Sequence, residues 1–583
     1  MKIPEFFQRS ELTGVLWALR REFLVSLLFT AVINLLMLTP TLYMLQVFDR
    51  VMASGSELTL LVLTLFMVFL FAIMAFSDWI RSRLLVRTGV RLDAMLNSRV
   101  FNASFEARLK QLGQNSSQAL NDLITLRQFL TGHGLFAFLD LPWAPIYIGV
   151  LYLLHPSLGV LGIVFVLILV GIAWYSHRRT TAPLDKAAEA GMQVNGDVHG
   201  KLRNTQVIEA MGMLDGLRKR WLVRHQKHLA LHHEAQDVAH RMQAVTKFVR
   251  LAQQSLSLGF GALLVIDGLI TPGAMVAINA LMSRATGPVD MMVSTWKSTL
   301  AARQAFLRLE KLLAEQPART SGLVHGTPQG HLQLDNLVAT APGRAAPILK
   351  GITADFPAGN IIVVLGPSGS GKSTLARTLV GIWPETSGKV LIDGEPIQSW
   401  DRDELGPYIG YLPQDIELFD GTIAENIARF GSLDSNKIIE AAKRAGVHEM
   451  ILRFSRGYDT PMGEAGGLLS GGQRQRIGLA RAMYDLPSLV VLDEPNANLD
   501  DAGEAALLKA VLELKQEGRT VFLISHRLSV VNVADHLLIL SDGQIQDYGT
   551  RQDVIQALQA RNAAAQQQAQ AAATVTAAAP QPA

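Results

Sequence analysis

The chain has 583 residues, 49% hydrophobic and 18% charged, with a formal net charge of +3 and no cysteine. That length exceeds what one hydrophobic core supports, so two or more domains are expected. The near-neutral balance gives no reason to expect a nucleic-acid partner, and the lack of cysteine excludes disulfides, thiolate metal sites and cysteine nucleophiles. A mean hydropathy of +0.23 fits a membrane half joined to a soluble half.

In chain order, residues 1–22 form a short segment ahead of the first apolar run. That run, 23–48, is too long for a signal-peptide core and is read as retained in the lipid bilayer. A hydrocarbon layer of about 30 Å takes roughly 20 helical residues. Segments 23–48, 58–76 and 156–175 meet that length without an internal charge, whereas 135–154 contains Asp140, 251–270 contains Asp267, and 274–296 contains Arg284 and Asp290. These spans fall into closely spaced pairs, separated by polar segments, 77–134 and 176–250, whose apolar residues recur at helical spacing and predict helices projecting from the membrane. Lys and Arg tend to stay on the cytoplasmic side. Arg81, Arg83, Arg87 and Arg91 follow the second span, and Arg178, Arg179 and Lys186 follow the fourth, while the connectors at 155–157 and 267–273 carry neither Lys nor Arg. Both termini are therefore expected in the cytoplasm.

The expected all-α transmembrane domain, 23–301, is followed by a polar linker, 302–330. From 331 to 558 short β-branched runs alternate with helical patterns, which predicts a parallel sheet with helices on its faces. The fold class is thus multidomain, a six-helix membrane domain and then an α/β domain. The Ala- and Gln-rich tail, 559–583, is low in complexity and is expected to be disordered.

Within the α/β region, GPSGSGKST matches the phosphate-loop pattern G-x-x-x-x-G-K-[ST], with a buried strand before it and a helix after it. Gly366, Pro367, Ser368, Gly369, Ser370 and Gly371 would curl the backbone so that its N–H groups face phosphate. Lys372 would reach the β- and γ-phosphates, Ser373 would ligate Mg²⁺, and Thr374 closes the motif. SLVVLDEP, 488–495, is a strand ending in two acids at the carboxyl edge of the sheet, where ligands of such sheets gather. Asp493 would hold Mg²⁺ through water, and Glu494 would polarise the attacking water.

The ordered set of phosphate loop, YLPQD (411–415), LLSGGQ (468–473), VVLDEP (490–495), NLD (498–500) and ISHR (524–527) resembles the ATPase domain of an ABC transporter. The resemblance implies that Gln414 senses Mg²⁺ and links to the membrane domain, that Asp500 lies at a dimer seam, and that His526 contacts the γ-phosphate of ATP. It also implies that Ser470, Gly471, Gly472 and Gln473 of one copy close over the ATP held by another, so that a chain with one such domain is a half-transporter acting as a homodimer. One position departs from the pattern, since Ala341 stands where such exporters usually carry an adenine-stacking tyrosine.

Across residues 10–558 the chain further resembles the permease-ATPases of type I secretion, in the subgroup exporting proteases, lipases and haem-binding proteins. The residues behind this are FLDLPWAPIYIGVLYLLHPSLG (138–159), IEAMGM (208–213) with Arg220 and Trp221 after it, and GYLPQDIELFDGTIAENIARF (410–430). The likeness implies export of an unfolded polypeptide bearing a C-terminal uncleaved signal across the bacterial inner membrane. Its implied partners are a periplasmic membrane-fusion adaptor and an outer-membrane channel of the TolC type. An exporter of lipid or a small amphiphile is the alternative on the same fold. The short segment before the first span leaves too little room for a proteolytic domain, which disfavours exporters that cleave leader peptides.

In the spans, Asp140 beside Pro142 and Pro145 is expected either to serve transport or to pair locally, because an intramembrane carboxylate is costly alone. Arg284 and Asp290 either line a polar path or mark the cytoplasmic half of a long helix. Residues 116–122 and 204–212 are candidates for docking on the ATPase domain.

Overall fold

A computed structural model describes residues 9–110, 117–202, 205–318, 326–344, 346–463, 469–497 and 499–561. The chain divides into two compact units, one built mainly from the residues up to Ala318 and the other from Arg319 onward.

The first unit is helical throughout. Helix α1 (Glu11–Ala18) starts at Ser10, whose Oγ accepts the Thr13 N–H while the Ser10 N–H donates to Thr13 Oγ1. This reciprocal cap satisfies two N–H groups that the first turn leaves without partners. The run read as one span from 23 is broken into α2 (Arg20–Leu36), α3 (Thr39–Gln46) and a π-helical turn, Val47–Val51. Pro40 favours the break, because it lacks an N–H and sits most easily in the first turn of a restarting helix. Helix α4 (Glu57–Lys110) runs unbroken far past the predicted span. Its apolar stretch is wholly unburied, with Leu61, Val62, Leu65, Phe66 and Phe69 exposed, as suits a surface facing lipid.

Helix α5 (Ser117–Thr131) leads to α6 (His133–Asp140), a 3₁₀ turn at Leu141–Trp143 and α7 (Ala144–Leu154). Pro142 and Pro145 each sit in the opening positions of the segment they begin, so the predicted span at 135–154 is a jointed one. Helix α8 (Pro156–Leu202), a short α9 (Thr205–Ala210) and α10 (Leu214–Ile266) follow. The span predicted to reach 270 stops at Ile266, since Gly268 turns the backbone left-handed at φ +69°.

Helix α11 (Pro272–Glu315) corrects one expectation, the linker, and bears on a second, the weaker sixth span, without testing it. It carries regular helix through residues 302–315, which were read as linker. It also falls outside the five helices that, among the described residues, are long and apolar enough to cross a membrane. The physical reason is burial. Ala274, Ala277, Ile278, Leu281, Met282, Ala285 and Val289 form a stripe of small and medium residues facing α3, α7, α8 and α10, so this helix is sheltered by protein and tolerates polar residues that a lipid-facing helix would not.

The second unit holds two sheets. One is antiparallel, in the order β2 (Pro347–Phe356), β1 (Leu332–Thr340), β4 (Glu385–Ile392), β5 (Glu395–Pro396). The other has the order β10 (Gln544–Thr550), β9 (His536–Ser541), β3 (Ile361–Leu365), β8 (Thr520–Ile524), β7 (Leu489–Asp493), β6 (Ile409–Leu412), and is parallel except at the β10 edge. Its central strands read as unbroken apolar runs because both faces are covered. Ile361, Val363, Val490 and Leu492 enter one core, while Ile362, Val364, Leu489 and Val491 enter the core shared with the antiparallel sheet. That second sheet was not anticipated, since only the βα alternation was read. The helices that matter below are α12 (Lys372–Leu379), α13 (Ile423–Ile427), α14 (Ser435–Arg444), α15 (Gly471–Met483) and α16 (Asp501–Gln516).

Candidate functional site

The loop between β3 and α12 carries the predicted phosphate-binding residues Gly366 to Thr374. Two of its glycines have a steric reason to be there. A Cβ at Gly366 would lie 2.2 Å from the Leu540 carbonyl oxygen, and Gly371 caps α12 at φ +101°, with a Cβ there only 2.9 Å from Leu349. Lys372 curls its ammonium back over the loop, donating to Gly366 O and Pro367 O at 2.9 Å each. This presents a cation in the curl of backbone N–H groups at a helix N-terminus, an arrangement suited to a polyphosphate.

Strand β7 ends beside this loop. Ser373 Oγ donates to Asp493 Oδ1 at 3.3 Å, and Asp493 Oδ2 is buried with no hydrogen-bond partner. Burial pushes the Asp493 carboxyl above the usual carboxylate range, with the Ser373 hydroxyl pulling the other way. A buried carboxylate oxygen without a donor, next to a serine hydroxyl, is a donor set that fits a hard divalent cation such as Mg²⁺.

The next residue departs from ordinary geometry. Glu494 has φ +51°, a left-handed conformation uncommon for a residue with a side chain. Its N–H donates to Ile524 O at 2.9 Å, which ties the turn to β8. Its carboxylate lies between Gln414 Nε2, which donates to Oε2 at 3.2 Å, and His526 Nδ1, 3.2 Å from Oε1. Gln414 follows β6 and His526 follows β8, the two strands that flank β7, so the loops on either side deliver both groups to the same acid.

Ser470 and Asp500 occupy another kind of position, the start of a helix. Ser470, exposed, caps α15, accepting the Gln473 N–H at 3.3 Å while its own N–H donates to Gln473 Oε1 at 2.9 Å; Gly471 and Gly472, half-buried, begin its first turn. Asp500 caps α16 through the Gly503 N–H at 2.9 Å. Neither is brought to the Glu494 cluster within the chain.

Comparison with known proteins accounts for this arrangement. Residues 349–497 match the family model described as ABC transporter, and 23–289 match the one described as ABC transporter transmembrane region. A type I secretion system ATP-binding protein, PrsD of Rhizobium meliloti, is 41% identical over 90% of this chain and 91% of its own length. The chain belongs to the ABC transporters. A leukotoxin translocation ATP-binding protein, LktB of a Pasteurella haemolytica-like species, is 28% identical over 92% of the chain and 77% of its own length. Among solved structures, a bacterial Atm1-family ABC exporter shares the fold at TM-score 0.80 and 23% identity, covering 92% of this chain and 96% of that one. As an ABC transporter the protein is a multi-pass membrane ATPase that binds ATP and couples its hydrolysis to transport.

Two residues of the ABC ATPase unit escaped the sequence reading. Gln475 is buried in α15, and its amide donates to Glu494 O at 3.3 Å and to Pro495 O, so the helix that begins at Ser470 also grips the backbone of the Glu494 turn. Its signal was present: a glutamine four residues before Leu479 and eight before Met483 lies on the buried stripe of that helix. Arg429, at φ +57°, donates to five carbonyl oxygens, those of Gly406 and Ile409 at the entry to β6 and of Arg481, Ala482 and Tyr484 at the end of α15. Burial pulls its guanidinium down to about 10, so it stays charged at neutral pH. No local pattern marks it, because its acceptors are backbone atoms distant in sequence.

In the membrane unit, Asp140 is paired. Its Oδ1 accepts from Asn34 Nδ2 at 2.8 Å and lies 3.7 Å from Arg81 Nη1. Arg81, itself buried, also meets Asp78 at 2.7 Å and Thr30 at 3.3 Å and stacks over Phe136 at 4.2 Å, while the Tyr147 hydroxyl donates to Asn34 O at 2.8 Å. The network ties α2, α4 and α6–α7 at the proline joint, which is the local pairing foreseen as one of two readings. The candidate docking segments are split in fate. Asp122 is buried against Arg308 of α11 in a two-pronged pair at 2.7 and 2.8 Å, residues 205–210 are helical and largely exposed, and 116 and 204 lie outside the described residues. The tail beyond 561, the residues 319–325 of the expected linker, Leu468 and Asn498 also lie outside them.

Proposed function

We propose that this ABC transporter drives export of an unfolded polypeptide across the bacterial inner membrane, as the energising component of a type I secretion system. The observation that carries the ATPase half is the Glu494 carboxylate held between Gln414 and His526, next to the Ser373–Asp493 pair. In this reading Lys372 and the loop N–H groups bind the phosphates of ATP, while Ser373, Asp493 and Gln414 position Mg²⁺. The ion supplies charge neutralisation for the transferred phosphoryl group. Glu494 takes up the proton of the attacking water, and His526, exposed at the rim, contacts the γ-phosphate.

A homodimer is supported by the placement of Ser470 to Gln473 and Asp500. They sit at the capped N-termini of α15 and α16, and the partial positive charge of α15 suits a phosphate held by a second copy. Both termini and the ATPase unit face the cytoplasm, on the evidence of Arg and Lys clustered after the second and fourth spans. The polypeptide cargo, the periplasmic adaptor and the outer-membrane channel are supported by the likeness to the secretion proteins over almost the whole length of the chain.

The test is ATPase turnover of the protein in lipid vesicles, with and without C-terminal fragments of secreted proteins encoded beside it. A rate change that depends on the extreme C-terminus of a fragment is expected. Rates that respond to particular lipids and to no fragment would move the assignment to a lipid or amphiphile exporter.

A further inference from the structure

The membrane unit holds a cavity of about 200 Å³ between α10 and α11, lined by Gln243, Thr246, Lys247 and Arg250 on one side and Asp290 and Ser294 on the other. Arg250 sets an opposite charge against Asp290 across it, but without a hydrogen bond to Oδ1. Asp290 Oδ1 is buried without a hydrogen-bond partner, whereas Lys247 and Arg250 are exposed at the mouth. Left so, the carboxylate oxygen carries a desolvation cost that a bound donor would remove.

Depth narrows the ligand. Arg250 is the last charge before Leu251–Ile266, a run with none, and on α11 the polar side resumes at Asp290, Ser294 and Lys297. The cavity therefore lies at the boundary between hydrocarbon and water, where phospholipid headgroups sit. Lys247, Leu251 and Leu258 follow each other at helical spacing along one face of α10, and both leucines and the adjacent Phe248 are exposed. An acyl chain has an apolar track leading directly away from the cavity's cations.

We propose that this cavity binds the headgroup of a phospholipid carrying both a phosphate and a primary ammonium. Lys247 and Arg250 take the phosphate through charge-assisted hydrogen bonds, and the ammonium donates to the free Asp290 oxygen. Two cations alone would suit any anionic lipid; the acid, whose buried Oδ1 has no hydrogen-bond partner, makes the site selective for the zwitterionic headgroup. The inference stands apart from the identity of the cargo.

Native mass spectrometry of the full-length protein, released from vesicles of equal phosphatidylethanolamine and phosphatidylglycerol, tests it. The wild type is expected to retain phosphatidylethanolamine preferentially. Lys247→Ala with Arg250→Ala should lower retention of both lipids on the order of tenfold, as expected for two interfacial cations. Asp290→Asn should keep binding but erase the preference, and Lys247→Arg, which preserves the charge and guards against misfolding, should behave as wild type. The proposal is overturned if the wild type shows no preference, if Asp290→Asn keeps it, or if the double alanine variant retains lipid undiminished. Displacement of the lipid by equimolar free phosphoethanolamine would assign the site to a soluble ligand. Loss of stimulation by a cargo fragment in the double variant, with lipid retention unchanged, would assign it to the polypeptide.

Discussion

The two units use polar residues in opposite ways. In the ATPase unit the polar groups that matter are left partly unsatisfied: Asp493 has a bare buried oxygen, Glu494 sits in a left-handed turn, and Lys372 rests on carbonyls of its own loop. At the proline joint of the membrane unit Asp140 and Arg81 are instead held by several partners, Asn34, Thr30, Asp78 and the ring of Phe136, with Arg81 Nε left without one. Strain and open valence mark a place prepared for a ligand; closure marks a place prepared to hold helices together.

The sharpest way to break that contrast is to exchange the acids for amides. Glu494→Gln removes the proton acceptor but keeps the shape, so ATP turnover is expected to fall by roughly 10²- to 10⁴-fold, the range for general base catalysis, while ATP binding measured by a fluorescent analogue is retained. An unchanged rate would show that the carboxylate between Gln414 and His526 is not the base. In the membrane unit the corresponding change, Asp140→Asn, should leave turnover and the Asn34 contact largely intact.

Removing the cation is the harsher test of the membrane network. Arg81→Ala leaves Asp140 without its cation, while Asp78 is exposed and gains water, so the loss is expected below the about 3–5 kcal/mol of a fully buried pair. A fall in unfolding temperature in detergent, with nucleotide affinity unchanged, is expected. Equal stability would mean that the pairing in α2, α4 and α6 contributes little.

These differences explain what was legible beforehand. The phosphate loop, the paired acids of β7 and the serine cap of α15 were readable because their chemistry is contiguous: each motif is a strand or helix end with its ligands a few residues apart. The partnership of Asp140 with Asn34 and Arg81 was not readable, since those residues are 106 and 59 positions away along the chain (140 − 34 and 140 − 81) and meet only when three helices pack. The break at Pro40 was missed because hydropathy averages over a proline, and α11 gives a weaker apolar signal because its neighbours shelter it. The antiparallel sheet escaped because β1, β2 and β4 alternate without the βα rhythm that revealed the rest.

Arg429 belongs to the ATPase unit but behaves like the membrane network, as a closed hub. Arg429→Ala would deprive up to five carbonyls of their donor at once. Since some would gain water, a loss of about 2–3 kcal/mol is expected, comparable to one or two buried groups left unsatisfied. Because Gln414 follows β6 and Gln475 grips the Glu494 turn from α15, turnover should fall more than ATP affinity; a purely stabilising role would move only the unfolding midpoint.

The smallest effect concerns adenine. The Trp383 indole N–H donates to Thr340 O at 2.8 Å, which brings a large ring to the end of β1, adjacent to Ala341. If that ring supplies the stacking face that Ala341 lacks, Trp383→Ala should weaken ATP binding about fivefold, the equivalent of ~1 kcal/mol for an aromatic pair. Ala341→Tyr would then add little to the wild type but restore affinity in the Trp383→Ala background. The opposite pattern, a clear gain from Ala341→Tyr alone and no loss from Trp383→Ala, would mean that adenine is held without an aromatic here, and that the phosphate contacts of Lys372 and its loop carry nearly all of the affinity.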